Sequence, residues 1–241
     1  MAQAITGADD HLYPHLAAAM ERAECIRMIV AFVMESGAKL VAPDLKRVAA
    51  RGVPIRLLTG QYLQVTEPSA LYHLRAELGD AIDIRFYGGD IRAFHPKAYI
   101  LDYQGEADVF VGSSNLSRSA LTTGIEWNYQ FRKSEHPREY AEFSDTFEAL
   151  FHSHSQRVTQ ELLKSYALKW KKPALVCRAE EDVASAPDST PRPRGAQIEA
   201  LYYLRQAREE GVDRGLVVAA TGVGKTHLAA FDSAQYRRVL F

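Results

Sequence analysis

Cysteine is scarce. The 241 residues hold only Cys25 and Cys177, far apart and outside any CxxC or Cys/His grouping. That scarcity excludes a disulfide framework and a structural zinc site, and leaves both thiols as packing residues. Long apolar runs are also missing, and the opening MAQAITGADDHLY has no basic stretch followed by an apolar one. Neither a membrane span nor a secretory signal is indicated, so a cytoplasmic protein with no membrane partner is expected. Charge of one sign is lacking too: the formal net charge is -1, and only residues 191–241 lean basic, with 8 Lys/Arg against 5 Asp/Glu. Any affinity for nucleic acid must therefore come from local groups rather than from an overall basic surface.

What is present is a chain that is 47% hydrophobic, enough to bury a large core. Residues 13–23 read as a helix, CIRMIVAFV (25–33) as a buried strand, ESGAKLVAPDLKRVAARG as a helix stopped by Gly52, and PIRLLTG (54–60) as a strand. SALYHLRAELG (69–79) reads as a helix opened by a Ser cap, and IDIRFY (82–87) as a third strand. This alternation is that of β-α-β units with parallel strands. The rhythm then changes. HPKAYILDY, ADVFVGS and IEWNYQFR are separated by short connections and should pair antiparallel, while REYAEFSDTFEALFHSH and RVTQELLKSYALKW have helical spacing. The expected fold is α/β, a mixed β-sheet flanked by helices over residues 1–175. A Pro-, Ser- and acid-rich linker follows over 176–195, and a separate segment over 196–241.

Two groups of residues carry chemistry. In the first, His95 and Lys97 stand two apart at the head of an apolar run, so that in a strand they share a face. Gly112-Ser113-Ser114-Asn115 ends the next run, and hairpin pairing would bring Ser113 and Asn115 beside His95 and Lys97. An imidazole, an ammonium, a hydroxyl and an amide around one small volume suit phosphoryl transfer. Such transfer needs a nucleophile able to carry the phosphoryl group and fixed donors where the oxygens gain charge. A carboxylate that sets the histidine tautomer is also wanted, and Glu126 in GIEWN is a candidate. No metal cluster is needed, and the sequence offers none.

The pattern His95-Pro-Lys97, four residues, Asp102, then Gly112-Ser113-x-Asn115 resembles the signature of the phospholipase D-like or HKD phosphodiesterases, over roughly residues 10–155. The resemblance implies a two-step reaction in which His95 attacks phosphorus to form a phosphohistidine and a second histidine protonates the leaving oxygen. It implies Lys97, Ser113, Asn115 and Glu126 as catalytic companions, with Asp102 and Gly112 as structural supports of the motif. The stretch between Asp102 and Gly112 is longer than in the common form, which suggests a longer hairpin turn around Gln104-Gly105-Glu106. The chain has no second H-x-K, and members with one motif build the site across a homodimer, which is the arrangement implied here. The remaining histidines read as surface or core residues.

The second group lies in LVVAATGVGKTHLAAF, which reads as a strand, a Gly-rich turn and a helix. In AATGVGKT, the loop of Thr221, Gly222 and Gly224 would cradle phosphates, Lys225 reach the terminal ones, and the Thr226 hydroxyl ligate magnesium. This form, with Gln197 on an upstream helix, resembles the opening of superfamily 2 helicases of the restriction-enzyme and UvrB type. The resemblance implies ATP and Mg as cofactors of a full-length motor and adenine recognition by Gln197, for which a surface glutamine is the alternative. No Asp-Glu-x-x motif follows before Phe241, so hydrolysis of ATP by this chain is not expected. Together the two groups point to a metal-independent nuclease acting on DNA at the head of a helicase or translocase used in restriction, repair or phage defence. The alternatives are a catalytically silent DNA-binding or dimerisation module, or a phospholipid-modifying enzyme.

Overall fold

A computed structural model describes residues 2–61, 64–88, 93–171, 192–212, 214–219, 223–234 and 236. The chain divides into two compact units, Met1–Val183 and Ala184–Phe241. Unit 1 is a mixed sheet of eight strands between two layers of helices. Its strands are β1 (Gln3–Ile5), β2 (Cys25–Val30), β3 (Ile55–Thr59), β4 (Ile82–Tyr87), β5 (Lys97–Tyr103), β6 (Glu106–Gly112), β7 (Asn128–Arg132) and β8 (Ser155–Arg157). Its helices are α1 (Leu12–Arg22), α2 (Glu35–Ala49), α3 (Pro68–Leu78), α4 (Arg118–Thr122), α5 (Pro137–Ser153) and α6 (Gln160–Lys169). The strand order is β1-β7-β6-β5-β2-β3-β4-β8.

The expected parallel run is β2-β3-β4, joined by the crossover helices α2 and α3. The expected antiparallel run is β5-β6-β7, which joins the parallel part by antiparallel pairing of β5 with β2. Period-two alternation decides which side chains meet which helical layer. Ile26, Met28, Leu57, Ile84, Tyr99 and Phe110 are matched across the register and buried on one face. Ile29, Leu58, Ala98, Ile100, Val109 and Phe131 form the other face and pack on Phe147 and Phe151 of α5.

Several boundaries differ from the sequence expectation, each for a local reason. The strand expected from His95 starts at Lys97, since Pro96 has no N–H to give a ladder. The strand expected from Ile125 starts at Asn128. Helix α3 begins at Pro68 with Glu67 as its N-cap, and not on a Ser69 cap, because proline suits the first helical turn. Helix α6 begins after Thr159, whose Oγ1 accepts from Leu162 N at 3.2 Å, while Arg157 belongs to β8. The sheet edges β1 and β8 are three residues each, too short to show as periodicity.

Unit 2 contains helices α7 (Ala196–Glu209) and α8 (Lys225–Ser233), packed together and tied by an ion pair between Arg208 and Asp232. The strand expected at LVVAA is not formed among the described residues: Leu216–Ala219 join no sheet, and Leu216 and Val218 are exposed. A strand exists only by pairing, and its apolar alternation here meets no partner. Most of the expected linker, Cys177 and nearly all of YRRVLF lie outside the described residues.

Candidate active site

The mixed topology brings four strand ends to one end of the sheet. These are the carboxyl ends of β2 and β6 and the amino ends of β5 and β7, with Val30 opposite Lys97 and Gly112 opposite Asn128. His95 projects from the segment just ahead of β5 and is exposed, whereas Lys97, the first residue of β5, is buried. The Lys97 ammonium donates to His95 Nδ1 at 2.5 Å and to the His95 carbonyl at 3.0 Å. Burial lowers the Lys97 pKa from its ordinary value, and the charge of Glu126 offsets part of that drop. A lysine with little water around its charge has reason to take an anion.

Asn115 is held from the β2 side. Its Oδ1 accepts from Phe32 N at 3.2 Å, which leaves Nδ2 as the donor for a guest. The loop behind it is clamped by Met34 N donating to the Leu116 carbonyl at 2.9 Å. Gly37 packs so close that a Cβ there would sit 2.2 Å from the Leu116 oxygen. Ser113 is exposed and donates its hydroxyl to Glu126. Ser113 also brackets Trp127: its N donates to the Trp127 carbonyl at 3.0 Å, and its Oγ accepts from Trp127 N at 3.0 Å. Gly112 has to be glycine, because a Cβ would meet the Trp127 oxygen at 2.2 Å and Asn128 Oδ1 at 2.4 Å. Below this layer Ser114 is buried, donating to the Ala120 carbonyl at 3.2 Å and accepting from Asn128 Nδ2 at 2.9 Å.

The structure thus gathers Lys97 with His95, and Ser113 with Glu126, at one sheet end. The carboxylate of Glu126 is engaged by Ser113 rather than by His95. Asp102 is elsewhere. Five residues beyond Lys97 it lies on the opposite face and about 16 Å along the strand. There it accepts from Arg27 Nη2 at 2.8 and 3.0 Å and from the Tyr140 hydroxyl at 2.6 Å. Sequence reading did not find Phe32, Gly37, Ser114 or Asn128 as supports of the site, nor Arg27 as the partner of Asp102, since no motif spacing connects them. Among the described residues no cluster of His, Cys, Asp and Glu is placed to hold a metal ion. No helix there is long and apolar enough to cross a membrane.

In unit 2, Thr221 and Gly222 lie outside the described residues. Gly224 adopts φ +79 and turns the chain into α8, whose first turn carries Lys225 and Thr226, both exposed. Lys225 Nζ donates to the Ala219 carbonyl at 3.1 Å. Gln197 Nε2 donates to the carbonyls of Val223 at 2.9 Å and Gly224 at 3.3 Å, so its amide is spent on the loop backbone.

Residues 16–155 match the family model described as cardiolipin synthase, PLD-like domain, and residues 190–241 match that of the type III restriction enzyme res subunit. No curated protein sequence matches the chain. Among solved structures, the phospholipase D family member Nuc from Salmonella typhimurium aligns with a TM-score of 0.54 and 17% identity, over 66% of this chain and 99% of that one. Polyphosphate kinase from Porphyromonas gingivalis gives 0.52 and 16%, over 87% and 28% of the two chains. Phosphatidylserine synthase from Haemophilus influenzae gives 0.51 and 9%, over 76% and 47%. Unit 1 shares their fold, and the chain belongs to the phospholipase D-like family, with a segment of the restriction-type helicase family behind that domain.

Proposed function

We propose that this chain is a metal-independent phosphodiesterase that cuts DNA through a phosphohistidine on His95. Its place is at the head of an ATP-driven helicase or translocase acting in the cytoplasm in restriction, repair or phage defence. The observation that carries the reading is the placement of an exposed imidazole against a buried ammonium, with Asn115 and the Ser113–Glu126 pair at the same sheet end. A phosphate oxygen entering the site takes hydrogen bonds from the Lys97 ammonium and Asn115 Nδ2. The imidazole lone pair that accepts from Lys97 at rest is thereby released for attack. The nitrogen–phosphorus bond forms as the bond to the leaving oxygen breaks, and a second histidine gives that oxygen its proton. Water that has lost a proton to the second histidine then displaces His95. Lys97 and Asn115 stabilise the charge on the phosphoryl oxygens at both steps. Glu126, held by Ser113 in this structure, would have to reach the imidazole to orient it.

One chain contributes one such histidine, so the complete site is that of a homodimer. Residues 1–175 form the nuclease domain, 176–195 the linker and 196–241 a piece of the ATP-binding domain. In that piece the turn at Gly224 into α8 suits a phosphate cradle, Lys225 would meet the terminal phosphates, and Thr226 would hold magnesium. Thr221 and Gly222 complete the loop, and Gln197 would have to leave the loop carbonyls to read adenine. The test is nicking of DNA by the purified chain in excess EDTA. Wild type is expected to nick, and His95→Ala to lose activity while keeping its mass in solution. Cleavage that requires added metal, or that survives the substitution, overturns the mechanism. A silent binding module would show no cleavage with either protein, and a lipid-modifying enzyme would turn over phospholipid instead.

A further inference from the structure

The amino end of α2 is locked from outside the helix. Its N-cap residue is Met34, whose side chain makes no capping hydrogen bond among the described residues. A thioether accepts poorly, so the first N–H groups of the helix need another partner. Glu67 supplies it. This residue is 8% exposed and stands just ahead of α3, and its Oε2 accepts from Glu35 N at 2.6 Å. Glu67 N also donates to the Val33 carbonyl at 2.9 Å, so one residue grips the start of α2 through backbone and side chain together. Burying a carboxylate is costly unless charge-assisted hydrogen bonds and the positive end of a helix offset it, and here both do.

The same short segment faces the site on its other side. Phe32 N donates to Asn115 Oδ1 at 3.2 Å, Met34 N donates to the Leu116 carbonyl at 2.9 Å, and Val33 pairs with Leu116 in a parallel bridge. Residues 32–35 are therefore a strip between Asn115 and Glu67. Glu67 is itself held, because Thr66 Oγ1 donates to the Gly60 carbonyl at 2.7 Å and the Tyr166 hydroxyl of α6 donates to the Thr66 carbonyl at 2.6 Å. Strand β3 runs parallel to β2, so the loop from Gly60 to Glu67 leaves the sheet at the end where the site lies.

We propose that Glu67 is a positioning residue for cleavage: by holding the start of α2 it fixes where Asn115 Nδ2 meets the phosphoryl oxygens. This rests on the phosphodiesterase reading of the same site. A donor stabilises developing charge only where its place is set beforehand, and a misplacement of about 1 Å caused by a distant change can cost about a hundredfold in rate.

The experiment is a double-mutant cycle on the whole chain with Glu67→Ala, Asn115→Ala and the two combined, and Glu67→Gln beside them. The substrate is a phosphodiester with a nitrophenolate leaving group, whose reactivity keeps slow variants measurable. Asn115→Ala should lower kcat about a hundredfold, the effect of losing one donor to the developing charge. Glu67→Ala should lower kcat about tenfold with KM little changed, because it displaces that donor without removing it. Glu67→Gln keeps an acceptor for Glu35 N and should recover most of the loss. With Asn115 already replaced by Ala, Glu67→Ala should cost less than about twofold, since residues that act as a unit are not additive. An equal loss in both backgrounds overturns the proposal, as does a loss confined to KM. Should Glu67→Ala not fold, Glu67→Asp, shorter by one methylene, takes its place in the cycle. Hydrogen exchange gives a reading independent of turnover: the Phe32 N–H should exchange faster in the Glu67 variant, by a larger factor than Leu57 N–H in β3. Equal acceleration at both amides marks general destabilisation and overturns the proposal. A wild type that turns over no phosphodiester overturns the phosphodiesterase reading, while selective acceleration at Phe32 still supports the link from Glu67 to Asn115.

Discussion

Asp102→Asn should separate two roles that the family signature runs together. The Arg27 side chain is 5% exposed and Asp102 25%. Their contact comprises two charge-assisted hydrogen bonds at 2.8 and 3.0 Å, and the Tyr140 hydroxyl adds a third to the same carboxylate at 2.6 Å. Breaking a fully buried pair costs about 3–5 kcal/mol, and a hydrogen bond to a charged group contributes about 1.5–3 kcal/mol. Two features reduce the figure here. Asp102 is partly wet, and Glu148 also faces Arg27, at 3.2 Å. About 2 kcal/mol is expected, because asparagine keeps one acceptor but loses the charge. For a domain of this size each kcal/mol moves the melting temperature by about 2–4 °C, so a fall of about 4–8 °C follows. Thermal unfolding followed by circular dichroism measures it. Below the transition, turnover per folded molecule should stay within about twofold of wild type, since Asp102 faces away from His95. Abolished turnover in a fully folded Asp102→Asn, with an unchanged melting temperature, would refute the assignment of Asp102 to support.

Two further substitutions probe the site end of the sheet. Gly112→Ala would drive a Cβ to 2.2 Å from the Trp127 oxygen and 2.6 Å from Asn128 Cα, both backbone atoms with nowhere to go. It should cost about 1–3 kcal/mol or more and lower kcat as well, because the same shift pulls Ser113 from Trp127; chemical denaturation and turnover together test this. Lys97→Met should abolish cleavage yet stabilise the fold at neutral pH. Burial depresses the folded-state pKa of Lys97, so folding opposes its charged form. That cost is fully present below the folded pKa and fades as pH rises to about 10.5, where the unfolded chain also loses the proton. The gain in denaturant midpoint should therefore be larger at pH 7 than at pH 10, and a Met variant less stable than wild type at pH 7 would contradict it.

Much of this architecture is legible locally. Helix and strand alternation through IDIRFY announced the parallel β2-β3-β4 run, and short connections announced the antiparallel one. The offset from Lys97 to Asp102, an odd number in a strand, already separates their faces. Edge strands β1 and β8 were illegible, because three residues carry no period. The strand expected at LVVAA was legible in pattern, yet Leu216–Ala219 join no sheet among the described residues, since pattern supplies propensity and pairing needs a partner.

The sequence alone determined which side chains can do chemistry and in what order they come: His95, Lys97, Ser113, Asn115, Glu126 and the glycine-rich loop before Lys225. Tertiary structure decided who holds whom. Phe32 N on Asn115, Leu116 against Gly37, Ser113 on both Glu126 and Trp127, and Arg27 on Asp102 are contacts between positions far apart in the chain. Spacing rules reach only as far as one helix or strand. The supports of this site come from strand ends, the loops beside them and helix α2, which meet only once the sheet has formed.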